Sequence, residues 1–343
     1  MVATLPTWKK SMSNRSTWDY IWIALKGFTM GAANVIPGVS GGTIALVTGI
    51  YEELINSLKS FDRTAFKLLL NRDFSKLLSH INAKFLFFLG IGIGTSVFSI
   101  AKLFEFLLEE HPTQIWAFFF GLILASVYYV GKTVDKWTFG NISFFILGTV
   151  IALFIASANP APTANGNYLF VFFCGIIGIS GMLLPGLSGS YILMLLGNYK
   201  LLMVDSINTL STSIKMTLSG DFSFLNDPNL TTGLIHFGLF LLGSVFGMIS
   251  FSQVIAWIFN RFKNSTISLL TGFVFGSLAI IWPWKNAITY PLTLNRHGEE
   301  MIIGYERFIP TTIDVSTMIA ILCVALGIVC IWSIEKMADK KSS

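Results

Sequence analysis

The chain consists of long apolar stretches separated by short polar segments, and two of these stretches are interrupted near their centres by Pro and Gly. The interruptions carry nearly the same phrase, 148 positions apart: Pro37-Gly38-Val39-Ser40-Gly41 and Pro185-Gly186-Leu187-Ser188-Gly189. Pro ends the helix before it, and Gly lets backbone N–H groups approach a ligand without a side chain between them. Matched interruptions in two halves of a chain are typical of a transporter binding site.

Six further apolar segments are each about long enough to cross the ~30 Å hydrocarbon core of a bilayer as a helix. They are 84–108, 114–131, 140–158, 232–259, 265–284 and 313–334. Hydrophobic residues make up 53% of the chain and charged residues only 12%, about half the level of soluble domains. The pattern therefore predicts an all-α integral membrane protein, and no cleavable signal peptide is evident.

The two interrupted segments, 20–51 and 168–199, have arms too short to span the membrane separately. Each is either a re-entrant hairpin, which leaves on the side it entered, or one broken helix that crosses. Lys and Arg accumulate in inner loops. The hairpin topology places 16 of them inside and 5 outside, whereas the crossing topology gives 13 and 8. The stronger bias favours the hairpins.

Each half is then predicted to contain one re-entrant hairpin and three spanning helices, and the second half is inverted relative to the first. A cytoplasmic tail (1–19) precedes repeat 1 (20–158), in which 52–83 is an amphipathic segment on the inner leaflet. An outer linker (159–167) leads to repeat 2 (168–334), and the C-terminal tail (335–343) is again cytoplasmic. The outer loop 285–312 is mixed and polar, without a pattern that assigns it a structure.

Further glycine matches support the repeat. Gly90 and Gly94 align with Gly243 and Gly247 at an offset of 153, and Gly121 aligns with Gly272 at an offset of 151. Small residues at this spacing let helices pack closely in lipid, which is the role expected of these glycines.

The hairpin tips are the first candidate substrate site, because hydroxyl groups lie there beside backbone N–H groups. The candidate residues are Asn34, Pro37, Gly38, Ser40, Gly41, Gly42, Thr43, Pro185, Gly186, Ser188, Gly189 and Ser190. The beginning of a helix attracts anions, so an anion or a lipid headgroup is the expected ligand. Alternatively, the serines only cap the second arm of each hairpin.

Three ionisable residues in apolar segments complete the candidate set. Lys102 and Glu105 lie one turn apart in the segment 84–108, and Lys26 lies on the first arm of the first hairpin. Ionisable residues within a membrane segment are functional candidates. An internal ion pair between Lys102 and Glu105, or a lysine that reaches toward the interface, are the alternatives.

Signals of enzymatic or metal chemistry are weak. The four histidines are scattered, and the three cysteines, Cys174, Cys323 and Cys330, all lie in apolar segments, so no metal site, cofactor or disulfide framework is expected. No segment matches a Gly-rich nucleotide loop that follows a strand, and the apolar segments lack the cluster of Arg, Lys and His that a lipid phosphatase requires. The net charge of +5 suits contact with an acidic inner leaflet rather than with nucleic acid.

The segment 31–43, with the sequence Gly-Ala-Ala-Asn-Val-Ile-Pro-Gly-Val-Ser-Gly-Gly-Thr, resembles the opening motif of the bacterial polyprenyl-phosphate transporter family. The second phrase, 185–190, resembles the second motif of that family, and the resemblance covers roughly 20–334. It implies a multi-pass protein of the bacterial cell membrane that returns undecaprenyl phosphate from the outer to the inner leaflet, which recycles the carrier lipid of cell-wall synthesis.

Three other functions remain open from the residues alone, of which the last, a structural subunit without transport activity, leaves the matched interruptions unexplained. A transporter of a small soluble anion could use the same inverted hairpins, with a closed central cavity. A membrane enzyme that acts on lipid phosphates would release phosphate.

Overall fold

The computed structural model describes residues 15–35, 40–158, 164–294, 300–312 and 314–342. The helices of the first half are α1 Thr17–Val35, α2 Gly41–Val47, α3 Tyr51–Lys59, α4 Arg63–Leu70, α5 Phe74–His80, α6 Ala83–Glu110, α7 Pro112–Lys132 and α8 Phe139–Ser157. Those of the second half are α9 Tyr168–Leu183, α10 Gly189–Leu195, α11 Ser206–Leu218, α12 Pro228–Arg261, α13 Lys263–Ser277 and α14 Val315–Ser342. A π-helix (Lys200–Asp205), a 3-10 helix (Ser223–Asn226) and strands β1 Lys285–Leu294 and β2 Glu300–Arg307 complete the second half.

Several helices are long and apolar enough to cross a membrane, in agreement with a mostly helical multi-pass protein. Four such helices occur within the described residues: Pro112–Lys132, Phe139–Ser157, Pro228–Arg261 and Val315–Ser333. A fifth span exists if Phe74–His80 and Ala83–Ser96, which meet at an angle of 65°, act as one.

The predicted span 265–284 is wrong in length. Helix α13 has 15 residues and ends at Ser277. At 1.5 Å per residue it is about 22 Å long, which is shorter than the hydrocarbon core. Residues 278–281 form turns, and Pro283 follows, which restricts the residue before it and cannot continue a helix.

The two ends of each interrupted segment lie close together and are joined by side chains. The guanidinium of Arg15 donates two hydrogen bonds, of 2.6 and 2.7 Å, to the carboxylate of Glu53. In the second half, the side chain of Asn198 bonds both the backbone N–H and the carbonyl of Asn165, at 2.8 Å each.

The return arms α2 and α10 have only seven residues each, about half the predicted length. Gly49 and Gly197 end them with φ of +71° and +73°, a left-handed conformation that side chains disfavour. The two turns are therefore alike in both halves. The chain continues as the buried helix α3 in the first half and as the π-helix in the second.

Helices in matching positions of the two halves pack in matching pairs. The helix before each interruption packs on the first long helix of its half, which pairs α1 with α6 and α9 with α12. Helix α7 packs on α14, and α8 packs on α13. Each half has three long helices, and the second long helix of one half therefore packs on the third long helix of the other half.

Glycines allow the close approach of these helix pairs, but not all at the predicted positions. Gly243 lies against the backbone of Phe172, and Gly92 lies against that of Ala24, so these two glycines occupy matching places. A side chain added at Gly90 or Gly94 would meet none of the described residues within 4 Å, so the predicted close packing there is wrong. Both lie two residues from Gly92, and a helix turns by about 200° over two residues, so they face away from α1.

The segment 52–83 contains three helices rather than a uniform surface layer. Helix α3 is largely buried and packs on α12. Helices α4 and α5 are mostly exposed, with large apolar side chains such as Phe66, Leu70 and Phe74 at the surface. Only these two fit an amphipathic layer on a membrane.

The segment 285–312, predicted as an outer loop, contains two antiparallel strands, which the all-α prediction missed. Strands β1 and β2 pair with Lys285 opposite Arg307, and the register shifts twice along the ladder. Pro291 lies within β1, where it cannot donate to a ladder, and this weakens the strand signal in the sequence.

Candidate functional site

The two interruptions of the chain lie in contact with each other. The backbone N–H of Gly186 donates to Thr43 Oγ1 at 2.8 Å. The hydroxyl of Ser40 lies 3.4 and 3.3 Å from the carbonyl oxygens of Met182 and Leu184, to which it donates. The beginning of α2 therefore lies against the end of α9 and the turn that follows it. Two segments about 140 residues apart in sequence form one polar cluster.

The first tip is closed by its own side chains. Asn34 Oδ1 accepts from the N–H of Gly41 at 2.7 Å, and Ser40 Oγ accepts from that of Gly42 at 3.1 Å. Ser40 and Thr43 are almost completely buried. The serine thus caps α2, as the structural interpretation of the tip expects. Any ligand for these amides must displace a side chain that already occupies them.

The second tip is more open. Ser188 precedes α10 without a side-chain bond to its first turn. Its hydroxyl instead lies 2.8 Å from that of Ser190. Gly189 and Ser190 are half-buried, whereas Pro185 and Gly186 are buried. The two tips are therefore related in sequence but differ in how their first-turn amides are satisfied.

Helix α13 supports the second tip from behind. Gly186 has φ of +83°, and a Cβ there would lie 2.6 Å from the carbonyl carbon and oxygen of Phe273. Both the backbone conformation and the close approach require glycine. This contact with α13 could not be inferred from the sequence, because it depends on tertiary packing alone.

The candidate lysines and glutamate are not gathered at the tips as far as the structure describes them. Lys26 Nζ donates to the carbonyl of Thr48 at 2.7 Å, at the end of α2, where a cation is favoured. Lys102 and Glu105 lie on α6, and their side chains are outside the described residues. Pro37 and Gly38 also lie outside the described residues.

The chemistry of the cluster is that of neutral donors and acceptors. None of the described residues at the two tips carries a charge, and their bonds are made by hydroxyl groups, backbone groups and the amide of Asn34. Within the described parts of the chain, no group of three His, Cys, Asp or Glu side chains could hold a metal ion. Such a cluster can exchange hydrogen bonds with a polar headgroup.

Comparison with known proteins identifies similar chains. The profile of the VCA0040-like family, described as undecaprenyl phosphate translocase-like, matches residues 30–301. A polyprenyl-phosphate transporter of Vibrio cholerae is 33% identical over 330 residues, which cover 94% of this chain and 99% of the relative. A polyprenyl-phosphate transporter of Staphylococcus aureus is 31% identical over 278 residues, 77% of this chain and 87% of the relative. No solved structure matches the chain significantly.

Proposed function

The chain belongs to the VCA0040-like family of undecaprenyl phosphate translocase-like proteins, and we propose that it carries a polyprenyl phosphate between the two leaflets of a membrane. The lipid we propose is undecaprenyl phosphate, moved from the outer to the inner leaflet of the bacterial plasma membrane. This return would supply the carrier lipid again for the synthesis of cell-wall polymers.

The contact between the two interruptions is the observation that carries this proposal. The bond from Gly186 to Thr43 places both breaks in one polar cluster between apolar helices. Helices interrupted at the substrate site are a recurring feature of transporters, since unwound backbone offers donors and acceptors inside a membrane. We propose that the headgroup passes this cluster.

The charge of the headgroup explains why a protein is needed. A phosphate monoester carries about 1.5 to 2 negative charges near neutral pH. Transfer of an isolated ion into hydrocarbon costs tens of kcal/mol on the Born estimate. Hydroxyl groups and backbone donors at the tips would replace part of the lost hydration. Since α2 and α10 have only seven residues each, their dipoles add little charge, and a cationic side chain must contribute.

We further propose that the two halves are inverted repeats, each with a re-entrant hairpin. The pairing of α1 with α6 and of α9 with α12, and the matching places of Gly92 and Gly243, support this arrangement. The contacts between the two ends of each hairpin, Arg15 with Glu53 and Asn165 with Asn198, support hairpins over broken helices that cross.

Contacts elsewhere agree with the proposed sides of the membrane. Asn264 donates to Asp135 at 3.2 Å, which joins two segments assigned to the cytoplasm. Gln114 donates to Ser316 at 3.2 Å, which joins two segments assigned to the outside. The excess of Lys and Arg supports a cytoplasmic location for the first of these ends and for both termini.

The polyprenyl tail is too long for a closed pocket, so we propose that it stays in lipid while the headgroup moves. An open groove of about 470 Å³ between α7, α8 and α13 supports a lateral path. Its lining is largely aromatic and apolar, with Tyr128, Trp137 and Phe145, and it includes Lys132 and the buried Thr271. Rocking of one half against the other would expose the cluster to each leaflet in turn.

Binding measurements separate this proposal from its alternatives. We expect purified protein to bind undecaprenyl phosphate more tightly than uncharged polyprenol, and inorganic phosphate far more weakly than either lipid. Tight binding of inorganic phosphate with no preference for the lipid would favour a soluble-anion transporter. Release of phosphate from the lipid by the purified protein would favour an enzyme.

A further inference from the structure

The base of the two paired strands brings two cations together at the proposed outer end of the molecule. Lys285 and Arg307 are directly opposite each other in the register of β1 and β2. Like charges at opposite positions of an antiparallel pair are unfavourable. Burial, and in addition the charge of Arg307, hold the pKa of Lys285 well below its usual value. Lys285 Nζ donates to the carbonyl of Ile280 at 2.6 Å. An anion close to both side chains would relieve the repulsion between their charges.

Arg307 links the ends of two membrane helices. Its Nη2 donates to the carbonyl of Ala156, in the last turn of α8, at 2.9 Å. Its Nε donates to the carbonyl of Ala279, in the turn after α13. Cations are favoured at such carbonyl ends, so a purely structural role accounts for these two bonds.

The structural role of Arg307 leaves one nitrogen of its guanidinium without a hydrogen bond within the described residues. Arg307 is exposed, and its third guanidinium nitrogen, Nη1, makes no hydrogen bond within the described residues. The guanidinium is a planar group whose parallel N–H donors suit phosphate oxygens. Nη1 is therefore available to a ligand while the other two nitrogens hold the side chain in place.

Two further donors lie in the same region. Tyr191 of α10 directs its hydroxyl at the carbonyl of Ala156, at 3.4 Å, so Tyr191 and Arg307 meet at one oxygen atom. The indole N–H of Trp284, next to Lys285 in the chain, is buried and has no acceptor within the described residues. A buried donor without an acceptor is costly, and a ligand oxygen would satisfy it.

We propose that Arg307, Lys285 and Tyr191 bind the phosphate headgroup of the polyprenyl lipid at the outer end of the second hairpin, before the headgroup reaches the tip. Tyr191 follows Ser190 directly in α10, so the site adjoins the more open of the two tips. The inference rests on the proposed function and adds a loading site, which is the place where Arg307, Lys285 and Tyr191 bind the headgroup first.

The surroundings favour a lipid phosphate over a free one. Lys285 Nζ lies 3.3 Å from the ring centroid of Trp116, and the rings of Trp282 and Trp284 are 5.5 Å apart. Tryptophan is enriched at the membrane–water interface, where a lipid headgroup lies. A phosphate at this site could therefore keep its tail in the bilayer.

The test measures the binding of undecaprenyl phosphate, uncharged polyprenol and inorganic phosphate to the purified full-length protein. For Arg307→Gln we expect about tenfold weaker binding of undecaprenyl phosphate, as for the loss of a hydrogen bond to a charged group, with polyprenol binding unchanged. Tyr191→Phe should cause a smaller loss in the same direction. Arg307→Lys, which keeps the charge but not the planar group, should fall between wild type and Arg307→Gln.

Lys215→Gln is the matched control. Lys215 is exposed on α11, on the same proposed side, and makes no ion pair within the described residues. This variant removes one positive charge at a distance from the site, so it should bind undecaprenyl phosphate as wild type does. An equal loss in Lys215→Gln and Arg307→Gln would reduce the effect to net surface charge and overturn the proposal.

Other outcomes also decide the matter. If Arg307→Gln weakens polyprenol and undecaprenyl phosphate equally, Arg307 only joins helices and the loading site is wrong. If Arg307→Gln does not fold, Lys285→Gln and Tyr191→Phe give the same decision. Wild-type protein that binds no undecaprenyl phosphate would contradict the proposed function. Normal binding by Arg307→Gln, Lys285→Gln and Tyr191→Phe would contradict this inference alone.

Discussion

The backbone N–H of Gly186 donates a 2.8 Å hydrogen bond to the hydroxyl of Thr43, a residue 143 positions away in the chain. The bond is buried, and it is shorter than the two contacts that Ser40 makes with the carbonyl oxygens of Met182 and Leu184. It joins the beginning of one return helix to the turn before the other. A movement of one half against the other that opens the tips must break or rearrange this bond.

Removal of the Thr43 hydroxyl should destabilise the contact between the tips. In Thr43→Val the buried N–H of Gly186 loses its acceptor, which should lower the free energy of unfolding by about 1–3 kcal/mol. Thr43→Ser keeps the hydroxyl and is the matched control. Thermal unfolding in detergent measures both variants, and equal stability of Thr43→Val and wild type would show that this bond contributes nothing.

Glycine at position 186 should be required for folding as well as for function. Gly186→Ala must accept an unfavourable positive φ and a clash with the backbone of Phe273. Gly220 is the matched control, because it has φ of +79° but a methyl group added there would contact no atom within 4 Å in the described part of the chain. Gly220→Ala should cost about 1–2 kcal/mol, the penalty of the conformation alone.

Gly186→Ala should therefore lower the thermal unfolding midpoint much more than Gly220→Ala does. Equal shifts of the unfolding midpoint for the two variants would mean that α13 moves away from the added methyl group at little cost. The close packing of α13 on the second tip would then contribute little to stability.

The proposed topology predicts which residues can be labelled from each side. In a variant without Cys174, Cys323 and Cys330, a cysteine at Ser75 should react only with a reagent in the cytoplasm, and one at Asn165 only with a reagent outside. Both positions are exposed in the structure. Reaction of the two cysteines from the same side would contradict the inverted repeat.

Removal of a cation that contacts the headgroup should weaken binding of the charged lipid but not binding of the uncharged lipid. Lys102→Gln keeps length and polarity but removes the positive charge. It should therefore weaken binding of undecaprenyl phosphate and leave binding of uncharged polyprenol unchanged. Lys26→Gln provides the comparison, because Lys26 already bonds the carbonyl of Thr48 and should mainly affect stability. If Lys102→Gln instead lowers stability, and the double variant with Glu105→Gln restores both stability and transport, Lys102 belongs to an internal ion pair.

The sequence was sufficient to predict features that depend on local residues. The multi-pass helical class, confirmed by four apolar helices within the described residues, follows from long hydrophobic runs. The breaks before Ser40 and Ser188 follow from the Pro-Gly phrase, and both serines precede short helices in the structure. Family membership, confirmed by the profile match, was indicated by the segment 31–43.

Features that depend on packing could not be predicted. Gly90, Gly92 and Gly94 look alike in the sequence, but only the helix face of Gly92 meets α1. The donor of Gly186 finds Thr43 through the fold of the whole chain. The residues of 285–312 have no pattern that assigns them a structure, so nothing in them indicated that Arg307 lies at the ends of α8 and α13.

Translocation itself can be measured by a leaflet assay with purified protein in liposomes that contain labelled undecaprenyl phosphate. A quencher that cannot cross the bilayer reports how much of the label stays in the protected inner leaflet. We expect the protein to make nearly all of the label accessible to the quencher. Protein-free liposomes should keep about half of the label protected. Thr43→Val should move the lipid at a rate different from that of wild type. Protection equal to that of protein-free liposomes, with folded protein present, would contradict the proposal that this chain translocates polyprenyl phosphate.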